Sequence, residues 1–77
     1  MKLLTGNDLV SGAVTWWTGN GWSIHVEDAA DVGEHGEAIL HAEEGARRVN
    51  APYIIDAVPT GNGPRPAHIK DRIRALG

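Results

Sequence analysis

Few side chains in this sequence could do chemistry, and their spacing limits what that chemistry would be. The four histidines come first. Glu37 and His41 are four apart, so on a helix they share a face and could ligate a metal ion together. His35 lies six residues before His41 and points to another side. His25 reads as a strand residue and His68 as part of a last helix, so a complete site would need convergence that no spacing announces. The plainer reading is surface histidines, with His41 flanked by Glu37 and Glu44, and no metal. There is no cysteine nucleophile. Ser11 and Ser23 sit in or beside a hairpin, without the strand-turn-helix context of a nucleophile elbow. Gly61-Asn62-Gly63 resembles a phosphate loop only in its glycines, because no Lys-Ser/Thr follows and the chain runs into Pro64-Arg65-Pro66. No nucleophile and base can be paired, so the sequence reads as non-enzymatic and without a cofactor.

Two constellations remain that could bind rather than react. The stretch TWWTGNGWSIHV holds all three tryptophans, in a chain with no Phe and Tyr53 as its only other aromatic. Asn20-Gly21 inside it is a strong hairpin signal, because a type I′ turn needs positive φ at both central residues. A two-residue loop there pairs Trp17 with Ile24 and Trp16 with His25. Trp17, Trp22, Ile24 and Val26 then form the core face, and Trp16, Thr18, Ser23 and His25 the polar one. Trp16 and His25 become candidate ligand-binding residues, with the Gly-rich loop at 59–64 beside them. The second constellation is Arg65, His68 and Arg72 in the closing GPRPAHIKDRIRALG. Prolines on both sides hold Arg65 extended, so these three could form a basic contact surface for a partner. The plainer reading of the same residues is a well-made helix start.

The elements that must position these residues follow from pattern. An apolar run at 2–5 and the stretches 13–18 and 22–26 read as strands. A helix is expected over 34–49, with Ile39, Ala42, Ala46 and Val49 as its apolar stripe and with Glu43-Arg47 and Glu44-Arg48 pairs. YIIDAV at 53–58 is a strand apolar enough to be covered on both sides. Pro66 is expected to open a last helix, with Ile69, Ile73 and Leu76 inward and Lys70 and Arg74 outward. The order β-β-β-α-β-α points to a two-layer α+β domain: a mostly antiparallel four-stranded sheet with both helices on one face. The tripeptide TGN recurs at 5–7, 18–20 and 60–62 at irregular spacing, as turn chemistry rather than a repeat.

Seventy-seven residues allow one domain spanning 1–77, with only about 60% of its unfolded surface buried. The net charge of -3 conceals a division. Residues 27–44 carry seven acids and no Lys or Arg, whereas residues 45–77 carry six bases and two acids. Such polarity can steer a partner. The acidic total and the lack of aromatic-basic motifs argue against nucleic acid. The lack of a leader or a long apolar stretch argues for a soluble cytoplasmic protein without a membrane partner. A monomer or weak homodimer is expected, the latter through an exposed sheet edge.

MKLLTGNDLVSGAV at the start, Gly21-Trp22, PYIID at 52–56 and GPRPAHIKDRIRALG at the end together resemble DUF2849, a small bacterial family catalogued as a domain of unknown function. The resemblance spans essentially the whole chain, and the two ends are its specific parts. Members are typically encoded beside assimilatory sulfite reductase and sirohaem synthase genes. The resemblance thus implies an accessory role in sulfite assimilation, with sulfite reductase or a sirohaem-biosynthesis protein as partner. It supplies no activity, cofactor or catalytic residue.

Overall fold

Short apolar runs build strands towards both ends of this chain, and the sheet they form is held at its centre by β-pairing between segments far apart in sequence. The computed structural model describes residues 1–76. Its strands are β1 (Lys2–Asn7), β2 (Val14–Trp17), β3 (Trp22–Ser23), β4 (Asn50–Thr60) and β5 (Gly63–Pro66), and its helices are α1 (Gly36–Gly45) and α2 (Ile69–Ala75). Single 3₁₀ turns lie at Val26–Asp28 and Gly33–His35. The class is α+β, with one curled antiparallel sheet in the order β3-β2-β1-β4-β5.

The sheet has five strands rather than the expected four. β4 runs on to Thr60 and turns through Gly61-Asn62, so that Pro59 pairs with Pro64 and Ala57 with Pro66. Pro66 is a buried strand residue rather than a helix start, and α2 begins at Ile69, capped by His68. The turn is closed by the Thr60 hydroxyl, which donates to Gly63 O at 2.5 Å, and the positive φ falls on Gly63 at 106°. The Ala57 and Met1 main chains bond to each other, and Ala67 N donates to Asp56 O. The ladder therefore directs Asp56, Val58 and Thr60 towards β5, and leaves Pro64 and Pro66 at the outward positions of the edge. Neither has an N–H, so this edge offers no main-chain donor for another strand.

Both faces of the sheet are covered, which overturns the expectation of two helices on one side. Leu3 pairs with Ile55, and Thr5 with Trp16, so these share a face. Leu3, Trp16, Ile55 and Ala57 form the core there with Ala29, and Ala75 of α2 packs on it. On the opposite face Leu4 pairs with Ile54, which lies against Gly36 of α1. Trp17 and Trp22 stack edge-to-face there at 5.5 Å. Trp22 Nε1 donates to Glu43 Oε1 at 3.0 Å, and Arg48 Nη1 donates to the other carboxylate oxygen at 2.7 Å. Consecutive apolar residues in β1 and β4 are the cause, since a strand that is apolar on both sides must be covered on both.

The hairpin register also differs. Trp17 pairs with Trp22 and Trp16 with Ser23, leaving residues 18–21 as the loop. Its positive φ is at Gly19 (105°), and Thr18 bonds to Gly21 O through both N–H and hydroxyl. The first TGN, at 5–7, marks a bulge and not a turn. It lies in β1 where the register with β4 slips, and a Cβ on Gly6 would come 2.2 Å from Val49 Cγ2.

Helix α1 is shorter than its pattern suggests, and it buries Gly36, Ile39, Leu40 and Glu43 more than Ala42 or Ala46. It ends because Arg47 turns left-handed at φ 57°, with Arg48 N donating to Glu43 O and Arg47 N to Glu44 O. This is the Schellman pattern with an arginine where glycine is preferred. The end of the helix also replaces the expected i,i+4 pairs by the Glu43-Arg48 pair. Arg47→Gly is expected to stabilise the domain by about 0.5–1 kcal/mol, read as a higher urea midpoint at unchanged m-value.

Three exposed carboxylates titrate below the usual 3.8. Asp8 accepts from the backbone N–H of Ser11, that of Val10 and the Ser11 hydroxyl. Asp31 accepts from the N–H of Lys2 and of Gly33, and Asp56 from the Lys2 ammonium. A depressed carboxyl contributes stability above its unfolded value and loses it as pH falls through the folded one. These three carboxyls should therefore make the thermal midpoint decline as pH falls from about 4 downward. Asp8→Asn and Asp31→Asn should each flatten that decline.

Candidate functional site

The C-terminal helix is fastened by its polar residues and exposes its apolar ones. Arg74 Nε donates to Thr5 Oγ1 at 3.2 Å, and its Nη2 donates to Gly6 O at 2.8 Å and to Asn7 Oδ1 at 3.3 Å. The same guanidinium lies 5.2 Å from the centre of the Tyr53 ring. Thr5 passes the connection on, donating to Thr15 O at 2.8 Å. Arg72 Nε donates to Pro66 O at 2.8 Å, closing one of the outward carbonyls of β5. The expected inward stripe is thus turned outward: Ile69, Ile73 and Leu76 are 75%, 64% and 88% exposed. The expected outward Arg74 is the anchor. Planar guanidinium forks match strand carbonyls and hydroxyls better than an aliphatic branch can, and small Ala75 lets the helix approach the core.

Two hollows flank this helix and meet at Val26, Ala75 and Leu76. The larger, of about 390 Å³, has Trp16, Val14 and Ile24 in its wall with His25, Glu27 and Arg74. The smaller, of about 250 Å³, is bounded by Val26, Pro64, Pro66, Leu76, Arg65 and Arg72. Trp16 and His25 from one set of candidate residues, and Arg65 and Arg72 from the other, therefore border adjoining hollows that share Val26, Ala75 and Leu76.

Their individual roles shift. Trp16 is not an exposed platform: it is fully buried and belongs to the core, touching the larger hollow only from beneath. Its pairing with His25 is replaced by one with Ser23, because β3 ends there and the chain turns into the 3₁₀ segment. His25 nevertheless reaches the rim of the same hollow, its Nδ1 3.8 Å from Glu27 Oε1. Arg65 is exposed on β5. His68 caps α2 with its Nε2 3.9 Å from Asp56 Oδ2, and does not line either hollow. The 59–64 loop reaches the smaller hollow through Pro64 alone. Ile24 and Leu76 at the rim and Arg74 behind it were not singled out for binding by sequence. The pattern of the last helix assigns Arg74 to its outward side and carries no signal for its anchoring role.

The Glu37-His41 pair is formed, at 3.7 Å, but both side chains are 75% exposed. Among the described residues no three His, Asp or Glu side chains converge as a metal site, and no helix is long and apolar enough to cross a membrane. In comparison with known proteins, a family model described as a protein of unknown function (DUF2849) matches residues 2–77. No curated protein and no solved structure matches the chain.

Proposed function

Because the chain belongs to the DUF2849 family, whose function is unknown, kinship brings no activity with it, and we propose from its surface that it is a non-catalytic interaction domain that docks through α2. One observation carries the reading. Ile69, Ile73 and Leu76 are presented to solvent on a helix tied down by its own arginines. Three aliphatic side chains at helical spacing cost hydration when left in water, and a partner that covers them recovers it. The bases Arg65, Lys70 and Arg72 stand beside them, while the one acid of the last helix, Asp71, is buried. The partner we propose is a cytoplasmic sulfite reductase or a sirohaem-biosynthesis enzyme. The test is a titration of the ¹⁵N-labelled domain with the sulfite reductase haemoprotein of the same organism. Selective shift or broadening of the amides of residues 65–74, abolished by Ile73→Glu, supports the reading. Unmoved amides at stoichiometric partner sink it.

A second reading has its own support. The larger hollow brings Trp16, His25 and Arg74 to one place, so a small ligand seated there would perturb tryptophan emission. Titration with sulfite, sirohaem and divalent metals separates the two. A saturable quench lost in His25→Ala but kept in Ile73→Glu favours the ligand.

A further inference from the structure

The smaller hollow has a chemistry of its own. Its apolar walls are Val26, Pro64, Pro66 and Leu76, and among the described residues its charged lining is Arg65 and Arg72, with Glu27 in the adjoining hollow. No carboxylate of the described residues lines it, and Asp71, the acid nearest in sequence to Arg72, is 4% exposed. Arg72 spends its Nε on Pro66 O, which fixes the plane of the guanidinium and leaves the outer end of the fork for another acceptor. The strand edge beside it has prolines at both outward positions, so it gives a guest no main-chain donor, and the side-chain donors that line the hollow are the two arginines. Arginine donates and cannot accept, so the guest must be an acceptor. A planar, bidentate acceptor fits the fork best, which is a carboxylate. The apolar walls ask for an aliphatic group attached to it, and a volume of about 250 Å³ holds one branched side chain with its carboxylate.

We propose that this hollow is a carboxylate-and-aliphatic pocket that takes the C-terminal residue of a partner chain, of leucine or isoleucine type. The inference rests on the interaction reading above and names the group that reading would recognise. A terminal carboxylate is bound by Arg65 and Arg72 while its side chain lies between Val26, Pro66 and Leu76. Capture of a chain terminus needs no donor from the strand edge, and the prolines deny one to any internal segment that would add as a strand.

The test uses the whole domain, ¹⁵N-labelled, with the Nε–H signals of Arg65 and Arg72 and the Leu76 amide as reporters. The probes are N-acetyl-leucine, its neutral amide, acetate and sulfate, at constant ionic strength. N-acetyl-leucine should saturate with a Kd on the order of 1 mM. Its amide and acetate should each bind about tenfold more weakly or not at all. Arg65→Ala, at an exposed position, should weaken N-acetyl-leucine severalfold and leave the rest of the spectrum in place. Equal binding of the neutral amide, equal binding of sulfate, or no saturable shift at these reporters overturns the proposal. If the haemoprotein moves the α2 amides and N-acetyl-leucine does not compete, the interaction reading stands and the carboxylate assignment falls. If N-acetyl-leucine saturates and the haemoprotein moves nothing, the pocket stands and the proposed partner falls.

Discussion

Trp16→Ala should bring the domain to, or past, its unfolding midpoint. The side chain is fully buried among Leu3, Ile55, Ala57 and Ala29, and truncating a core tryptophan costs about 3–5 kcal/mol. A domain of this length has about 4–12 kcal/mol to lose, and its small core places it near the lower figure. With no disulfide, nothing else constrains the chain. Urea melts followed by far-UV circular dichroism would show a transition that has lost its folded baseline. Trp17→Ala, at a half-buried position on the α1 face, should keep a cooperative transition at lower midpoint. A Trp16→Ala protein that melts like the parent would mean that this tryptophan is not the core residue, and that the expectation of an exposed Trp16 was right.

Arg74→Ala should release one element and leave the others. It removes three hydrogen bonds from a cation and a cation–π contact, together worth about 2–4 kcal/mol. Beyond Arg74, α2 is held by the Arg72–Pro66 bond, by Ala75 on the core and by buried Asp71, while its large aliphatic side chains point outward. Hydrogen exchange should therefore show protection lost over Ile69–Ala75 and retained over β1 and β4. Arg74→Lys should not restore it, since one ammonium cannot span Thr5, Gly6 and Asn7 as a fork does. If β1 and α2 lose protection together, the anchor is part of the global core and the local reading fails.

These two residues mark the limit of what the sequence makes legible. The strands at both ends of the chain, the middle helix and the α+β class follow from apolar pattern and turn residues. What pattern does not carry is which side of a strand holds the deepest core when both sides are covered. Trp16 and Trp17 are adjacent, both apolar, and opposite in face, so alternation alone has no preference between them. The Thr18 hydroxyl settles the loop by bonding to Gly21, a contact that a turn signal centred on Asn20-Gly21 does not anticipate. Helix α2 inverts for a related reason. Periodicity marks Ile69, Ile73 and Leu76 as one stripe, correctly, but assigns that stripe to the core by default. The inward side is instead fixed by the positions of Thr5, Gly6, Asn7 and Pro66, which only the folded sheet brings within reach of two arginines. For the candidate site, the residues Arg65, Arg72, Trp16 and His25 were legible one by one. Their common surface was not, because it exists only where the last turn of α2 crosses Val26.

The pairing of β1 with β4 bears on how the chain is made. Lys2 meets Asp56 and Leu3 meets Ile55, so the centre of the sheet joins residues separated by more than half the chain. During synthesis at about 5–20 residues per second, β1 leaves the ribosome seconds before its principal partner exists. Leu3 and Leu4 spend that interval in water, or against whatever binds nascent chains. The β1-β2-β3 meander can close early but lacks the strand that covers its other side. The domain should thus fold as a unit only after translation has passed β4, and the sequence separation of its central pair, rather than any helix, should set the rate.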